Sequence, residues 1–204
     1  LCVPLKMMEN DNMLSSLDRQ LYPEDEFPYG QWEYQIFYRE NFDKAKQSLE
    51  DNPRNTVKCL FRSGNAENLG KLANTAFVRK NNGWFKNGIA PDIALDENVL
   101  SRKELEIYSK YLSENGFFGP GSWYMNTELN NEYYKKAPLQ KLKKPTLFIH
   151  AKYDRVCDTC HTSLADPMRE NCSNLKEATI NSDHWIAQEK PDELNNIIKE
   201  WLAI

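Results

Sequence analysis

Two short strand-like segments near the C-terminus, each followed within a few residues by a side chain that can move or hold a proton, constrain this chain more than any other feature. Residues 145–150 (Pro-Thr-Leu-Phe-Ile-His) read as a buried strand, and Asp154 stands just past its C-terminal end. Residues 175–180 read as a second strand, followed by Ser182-Asp183-His184-Trp185 and a helix-like run over residues 190–202. Functional groups gather at the carboxyl ends of strands in open α/β sheets. A carboxylate there accepts a hydrogen bond from one imidazole nitrogen, fixes the tautomer, and stabilises the imidazolium formed when the other nitrogen takes a proton. Strand, acid, strand, histidine, helix is the second half of a triad, with Asp154 as acid and His184 as base. The competing reading of a lone histidine at a turn is a surface residue.

Charge and composition narrow the partners. The 204 residues are 40% hydrophobic and 27% charged, as a globular unit requires, and the net charge is -4, so nothing favours nucleic acid. The one basic cluster, at residues 141–144, reads as a solvated strand entry. No apolar run reaches the roughly 18 residues of a membrane span. Five cysteines at irregular spacing form no disulfide framework. Cys157-Asp-Thr-Cys160-His161 matches the C-x-x-C-H pattern of haem attachment and of a redox dithiol, but it follows the acid loop and not a helix start, and no second axial ligand stands out. Asn171-Cys172-Ser173 has the form of a glycosylation acceptor. The first five residues lack an initiator Met and a basic n-region and read as the tail of a buried strand. The chain is therefore expected to begin in mid-domain, downstream of any nucleophile. Localisation is left open, with the cytoplasm favoured.

Between the two ends the pattern is helical. Leu14, Leu17 and Leu21 predict a helix within residues 11–25, broken by Phe27-Pro28-Tyr29-Gly30. Tyr34, Phe37 and Tyr38 fall on one helical side, as a packed core face or as a pocket wall with a hydroxyl pointing in. Residues 41–51, with Phe42, Ala45 and Leu49 inward, and residues 54–63, with Val57, Leu60 and Phe61, are predicted helices parted by Asn52-Pro53. Residues 64–88 read as a variable loop. Ser101 with Glu104 forms a capping box for a helix ending at Asn115-Gly116, with Leu105, Tyr108 and Leu112 as its stripe. A turn over residues 117–121 leads to a further helical segment over residues 122–136. The last helix opens on Pro191 and buries Leu194, Ile197, Ile198, Trp201 and Leu202.

Four stretches, in order, carry a resemblance. Glu33-Tyr34-Gln35-Ile36-Phe37-Tyr38 is similar to the first cap-tyrosine motif of the soluble epoxide hydrolases of the α/β-hydrolase fold. Residues 116–126, containing Trp123-Tyr124-Met125-Asn126, resemble the second, in which Arg commonly stands where Met125 is. Ala151-Lys-Tyr-Asp154 resembles the acid loop, and Asp183-His184-Trp185 with Lys190-Pro191 resembles the histidine loop and last helix. The resemblance implies an α/β chain: the end of a core strand at residues 1–13, a mostly helical cap at 14–142, and the C-terminal part of an α/β-hydrolase core at 143–204. The N-terminal half of the core, with the oxyanion loop and the nucleophilic aspartate, is absent from the sequence.

The implied activity is hydrolysis of an epoxide to a vicinal diol through an aspartyl alkyl ester. Asp154 and His184 would serve as acid and base, and Tyr34 and Tyr124 would steady or protonate the ring oxygen. Trp32, Gln35, Phe37, Trp123 and Trp185 are the implied substrate-binding residues. The implied partners are a small lipophilic epoxide and the missing N-terminal half or a second copy of the chain. No cofactor and no metal is expected. The alternatives are a noncatalytic fragment or binding module, and another α/β-hydrolase such as a haloalkane dehalogenase or an esterase.

Overall fold

The computed structural model describes residues 3–5, 10–136 and 141–203. In chain order the helices before the sheet are α1 (Asn10–Ser15), α2 (Glu33–Glu40), α3 (Phe42–Glu50), α4 (Pro53–Leu60), α5 (Arg102–Asn115), α6 (Phe118–Ser122) and α7 (Thr127–Lys136). Strand β1 (Thr146–Ala151), α8 (Asp166–Asn171), β2 (Leu175–Ile180), α9 (Ile186–Glu189) and α10 (Pro191–Leu202) follow. Two compact units result: one of residues 1–19, 64–71 and 127–204, the other of residues 20–63 and 72–126. Among the described residues no helix is long and apolar enough to cross a membrane.

In the first unit β1 and β2 pair in parallel, from Thr146 opposite Leu175 to Ala151 opposite Ile180. Alternation along β1 explains how both faces are covered. Ile149 and Ala151 pack with Ile180, Ile186 and Leu194, so α9 and α10 lie against that face. Phe148 points the other way and packs with Ala165, Met168 and Cys172 around α8. His150 shares this second face, with Nδ1 2.7 Å from Thr159 Oγ1 and Nε2 2.9 Å from Glu177 Oε1. It belongs to a polar network that starts from the buried His150 and Thr159 and reaches the surface, where Arg169 bonds Glu177.

The second unit is helical. Asn52 caps α4 by accepting the Asn55 N–H, with Pro53 in the first turn where its missing donor costs nothing. The Ser101–Glu104 capping box starts α5, and Gly116, at φ 69°, ends it in a conformation that favours glycine. Phe61 packs its ring 4.9 Å from Tyr108, joining the region of α4 to α5.

Several local expectations change. The helix predicted within residues 11–25 stops at Ser15, where the Ser16 hydroxyl donates to the Met13 carbonyl and competes with the next helical bond. Residues 64–88 are no plain surface loop: Ala73, Ala76 and Val78 are buried, and two 3-10 turns, Ala66–Asn68 and Asn74–Phe77, give the segment structure. Residues 117–121 hold a helical turn, and the segment beyond them breaks into a 3-10 turn at Trp123–Met125 before α7 begins. Of the face expected to be buried in α10, Leu194 is buried, Ile197, Ile198 and Trp201 are half-buried, and Leu202 is exposed. At the start, residues 3–5 form a bend and a turn, and the remainder of the expected strand end, Leu1 and Cys2, lies outside the described residues.

Candidate active site

The parallel register delivers the acid and the histidine to the same sheet edge. Because Ala151 lies opposite Ile180, the loops that follow the two strands emerge side by side. Backbone bonds carry the pairing past the strands: the Lys152 N–H donates to the Ile180 carbonyl and the Tyr153 N–H to the Ser182 carbonyl, each at 2.9 Å. Asp154 is buried, and its Oδ1 accepts the N–H groups of Val156 and Cys157, both at 2.9 Å. Its other oxygen, Oδ2, lies 2.7 Å from His184 Nδ1. A carboxylate can only accept, so Nδ1 carries the proton and Nε2 is left as the basic nitrogen. About a third of the His184 side chain is exposed while that of Asp154 is not at all, which is the arrangement a proton acceptor and its orienter require.

The electrostatics follow from this geometry. Burial works to lower the His184 pKa, but the Asp154 hydrogen bond, the Asp154 charge and the Asp183 charge outweigh it and hold the imidazole above its ordinary value. Burial pushes the Asp183 carboxyl up to about 6, helped by the Asp154 charge and opposed by the hydrogen bond from the His184 N–H. Trp185 sets its ring edge-on to the imidazole at 5.4 Å. Donor atoms of Asp154, Cys157 and His184 lie within 4.8 Å of one another, the arrangement among the described residues that could hold a metal ion. Both Asp154 oxygens are already committed to N–H donors, so a cation there would compete with the histidine for them.

The second unit gathers the two expected tyrosines. Tyr34, on α2, and Tyr124, in the 3-10 turn Trp123–Met125, bring their rings together edge to face at 5.1 Å. Gln35 Nε2 donates to the Tyr34 hydroxyl at 3.2 Å. A phenol that accepts a hydrogen bond becomes a better donor through its own O–H. Tyr38 stacks on Tyr124 at 5.2 Å, and its hydroxyl accepts from Trp84 Nε1 at 3.2 Å. Burial keeps the Tyr38 phenol well above its ordinary pKa, with the Trp84 N–H partly offsetting it, so the group stays neutral. Trp84 also packs 5.6 Å from the Tyr34 ring. Gly121 permits the stack, because a side-chain carbon there would meet Tyr38 Cε1 at 3.0 Å and Phe42 Cε2 at 3.2 Å.

Of the expected substrate-binding residues, Trp32 and Phe37 are fully buried core residues of the second unit, while Gln35 touches Tyr34 and Trp185 touches His184. Trp123 stands 79% exposed, outside the tyrosine cluster. Sequence reading places Tyr38 and Trp84 only among the aromatic residues of the lid and misses the contacts of Trp84 with Tyr34 and Tyr38 and of Gly121 with Tyr38. The one signal available was the four-residue spacing from Tyr34 to Tyr38, which puts both on the same side of a helix.

No protein-family model matches the chain. The bifunctional epoxide hydrolase 2 of Sus scrofa is 30% identical over 172 residues, 84% of this chain and 29% of that protein. That of Rattus norvegicus is 32% identical over 174 residues, 83% of this chain and again 29% of the relative. The crystal structure of epoxide hydrolase A from Mycobacterium thermoresistibile matches 83% of this chain and 51% of that one at a TM-score of 0.65 and 21% identity. A Vigna radiata epoxide hydrolase mutant matches 99% and 60% at a TM-score of 0.64 and 20% identity. The chain belongs to the soluble epoxide hydrolase family. Its fold is a partial α/β-hydrolase core with a helical cap, as the resemblance implied. As a member of the soluble epoxide hydrolases it spans less than a third of the length of these two curated relatives.

Proposed function

We propose that the protein containing this chain hydrolyses a lipophilic epoxide to a vicinal diol, and that these 204 residues supply the acid, the base and the tyrosine donors. The observation that carries the reading is the 2.7 Å contact between His184 Nδ1 and Asp154 Oδ2 at the sheet edge of a soluble epoxide hydrolase family member. A carboxylate attacks one ring carbon from behind, the carbon–oxygen bond breaks, and the departing oxygen takes a proton from Tyr34 or Tyr124. The product of this step is an alkyl ester on the carboxylate. His184 Nε2 then takes a proton from water, the resulting hydroxide attacks the ester carbonyl, and the ester carbon–oxygen bond breaks so that the diol leaves with the proton of the carboxyl group and the carboxylate is restored. The imidazolium returns its proton through water to the tyrosinate. Asp154 holds the imidazolium between the two proton transfers.

The attacking carboxylate belongs to no motif of these residues, and we place it in sequence outside them. The core half that carries it is the partner this reading requires, and the helical unit of residues 20–63 and 72–126 is its cap. Trp32, Phe37, Tyr38, Trp84 and Phe85 give the cap an apolar inventory suited to a lipophilic substrate.

The test is mass spectrometry of the full-length protein carrying His184→Gln after exposure to an epoxide. An added substrate mass on the protein is expected, because the ester forms and is not hydrolysed, and an unmodified mass refutes the sequence of steps. Tyr34→Phe combined with Tyr124→Phe is expected to reduce diol formation by at least about 100-fold, the cost of losing aligned donors. The isolated 204 residues are expected to give no turnover.

A further inference from the structure

Glu189 is a buried carboxylate five residues beyond His184, at the C-terminal end of α9, and the chemistry above makes no use of it. Both of its oxygens are taken by backbone donors. Oε1 accepts the Gly64 N–H at 3.0 Å, and Oε2 accepts the Asp183 N–H at 2.8 Å. The two donors come from segments more than a hundred residues apart in sequence, and one of them is the residue directly before His184.

Gly64 supplies the other half of the arrangement. A side-chain carbon there would fall 2.5 Å from the Asp183 nitrogen and 2.6 Å from the Ser182 carbonyl carbon, closer than any side chain permits. The backbone at Gly64 thus lies directly against the Ser182–Asp183 peptide, and Glu189 bonds both. On the far side of that peptide, the Ser182 carbonyl accepts from Tyr153, next to Asp154, while Asp183 Oδ1 accepts the His184 N–H at 2.8 Å. The histidine loop is held at every step from Ser182 to the imidazole.

We propose that Glu189 is a positioning residue for His184, its two oxygens gripping the Gly64 and Asp183 N–H groups so that the loop aims Nδ1 at Asp154. The choice of a carboxylate is explained by the donors: two N–H groups converge on it, and only a group with two acceptor oxygens serves both. Glutamine offers one oxygen and turns an NH2 toward the second donor. The inference rests on the reading of His184 as base and deepens it.

The experiment uses the full-length protein with nitrogen-15-labelled histidine, and reads the low-field Nδ1 proton of the 184 ring together with kcat and KM. Glu189→Gln is expected to lose the low-field resonance and to lower kcat by about 10- to 100-fold at little change in KM, as a small misplacement of a catalytic group does. Glu189→Asp keeps two acceptors and is expected to restore most of both. Gly64→Ala, which must displace the same peptide from the other side, is expected to reproduce the loss.

A folded Glu189→Gln protein with the resonance and kcat intact overturns the proposal, and so does a fall in kcat with the resonance unmoved and no rescue by Asp. Should Glu189→Gln not fold, Gly64→Ala decides: loss of the resonance in a folded protein supports the proposal, and its retention defeats it. Unaltered turnover in His184→Gln would instead sink the base reading, leaving the resonance to judge the grip of Glu189 on the loop separately.

Discussion

The acid–histidine pair and the tyrosine cluster are built on opposite principles. Asp154 and His184 are fixed atom by atom, through hydrogen bonds from the Val156 and Cys157 N–H groups to Asp154, from the His184 N–H to Asp183, and to each other. The tyrosines are fixed by area: Tyr34, Tyr38, Tyr124 and Trp84 hold one another by ring contacts, with single hydrogen bonds from Gln35 and Trp84 at the edges. Directional bonds locate a proton acceptor to a fraction of an ångström but fail when one atom changes type. Ring packing tolerates a change of atom and fails when volume changes.

That contrast can be broken by substitutions that keep shape in one region and alter it in the other. The largest effect is expected from Asp154→Asn, which preserves size but offers the imidazole an amide. The wrong tautomer results, and kcat of the full-length protein should fall by about 10^3- to 10^4-fold. A loss smaller than tenfold would mean the pair does not depend on atom type. Gly121→Ala makes the converse change, adding one carbon against Tyr38 and Phe42. It should destabilise the protein by about 1–3 kcal/mol in chemical denaturation, and an unchanged midpoint would show that the stack has room to spare. Tyr38→Phe keeps the ring and removes the acceptor for Trp84, so a cost of about 1 kcal/mol is expected, below that of Gly121→Ala. A larger cost than Gly121→Ala would reverse the contrast.

The most modest effect concerns pH. Only neutral His184 can accept a proton from water, and Asp154 and Asp183 outweigh burial to hold its pKa above 6.5, so kcat should rise with pH through a midpoint above that value. Asp183→Asn removes an anion that favours the imidazolium, and the midpoint should move down toward the ordinary histidine range. Movement upward would show that the solvation lost around the ring outweighs the Asp183 charge.

The same contrast explains what could be read in the sequence. The two strands, the acid after the first and the histidine after the second were legible because the apolar run of the first strand, the short strand-like segment of the second and the residues that follow them are local signals. The capping box of α5 was legible for the same reason. Glu189 was not: its role comes from converging on Gly64, and nothing in its neighbourhood along the chain marks that meeting. Tyr38 was half legible, since helical spacing puts it beside Tyr34, but its stack on Tyr124 depends on a turn more than eighty residues away and on the bare backbone of Gly121. The helix predicted through Leu21 failed because the Ser16 hydroxyl offered the backbone another partner, which periodicity of leucines does not register.

The parallel pairing of β1 with β2 has a consequence for how such a chain can be shuffled. Acid, histidine and the glutamate that steadies its loop all lie between Thr146 and Glu189, on two neighbouring strands and the turns they feed. A recombination junction placed upstream of β1 would transplant the proton-handling apparatus nearly whole, needing only a host backbone that passes as close to the Ser182–Asp183 peptide as Gly64 does. A junction between the strands would leave each parent with half a relay.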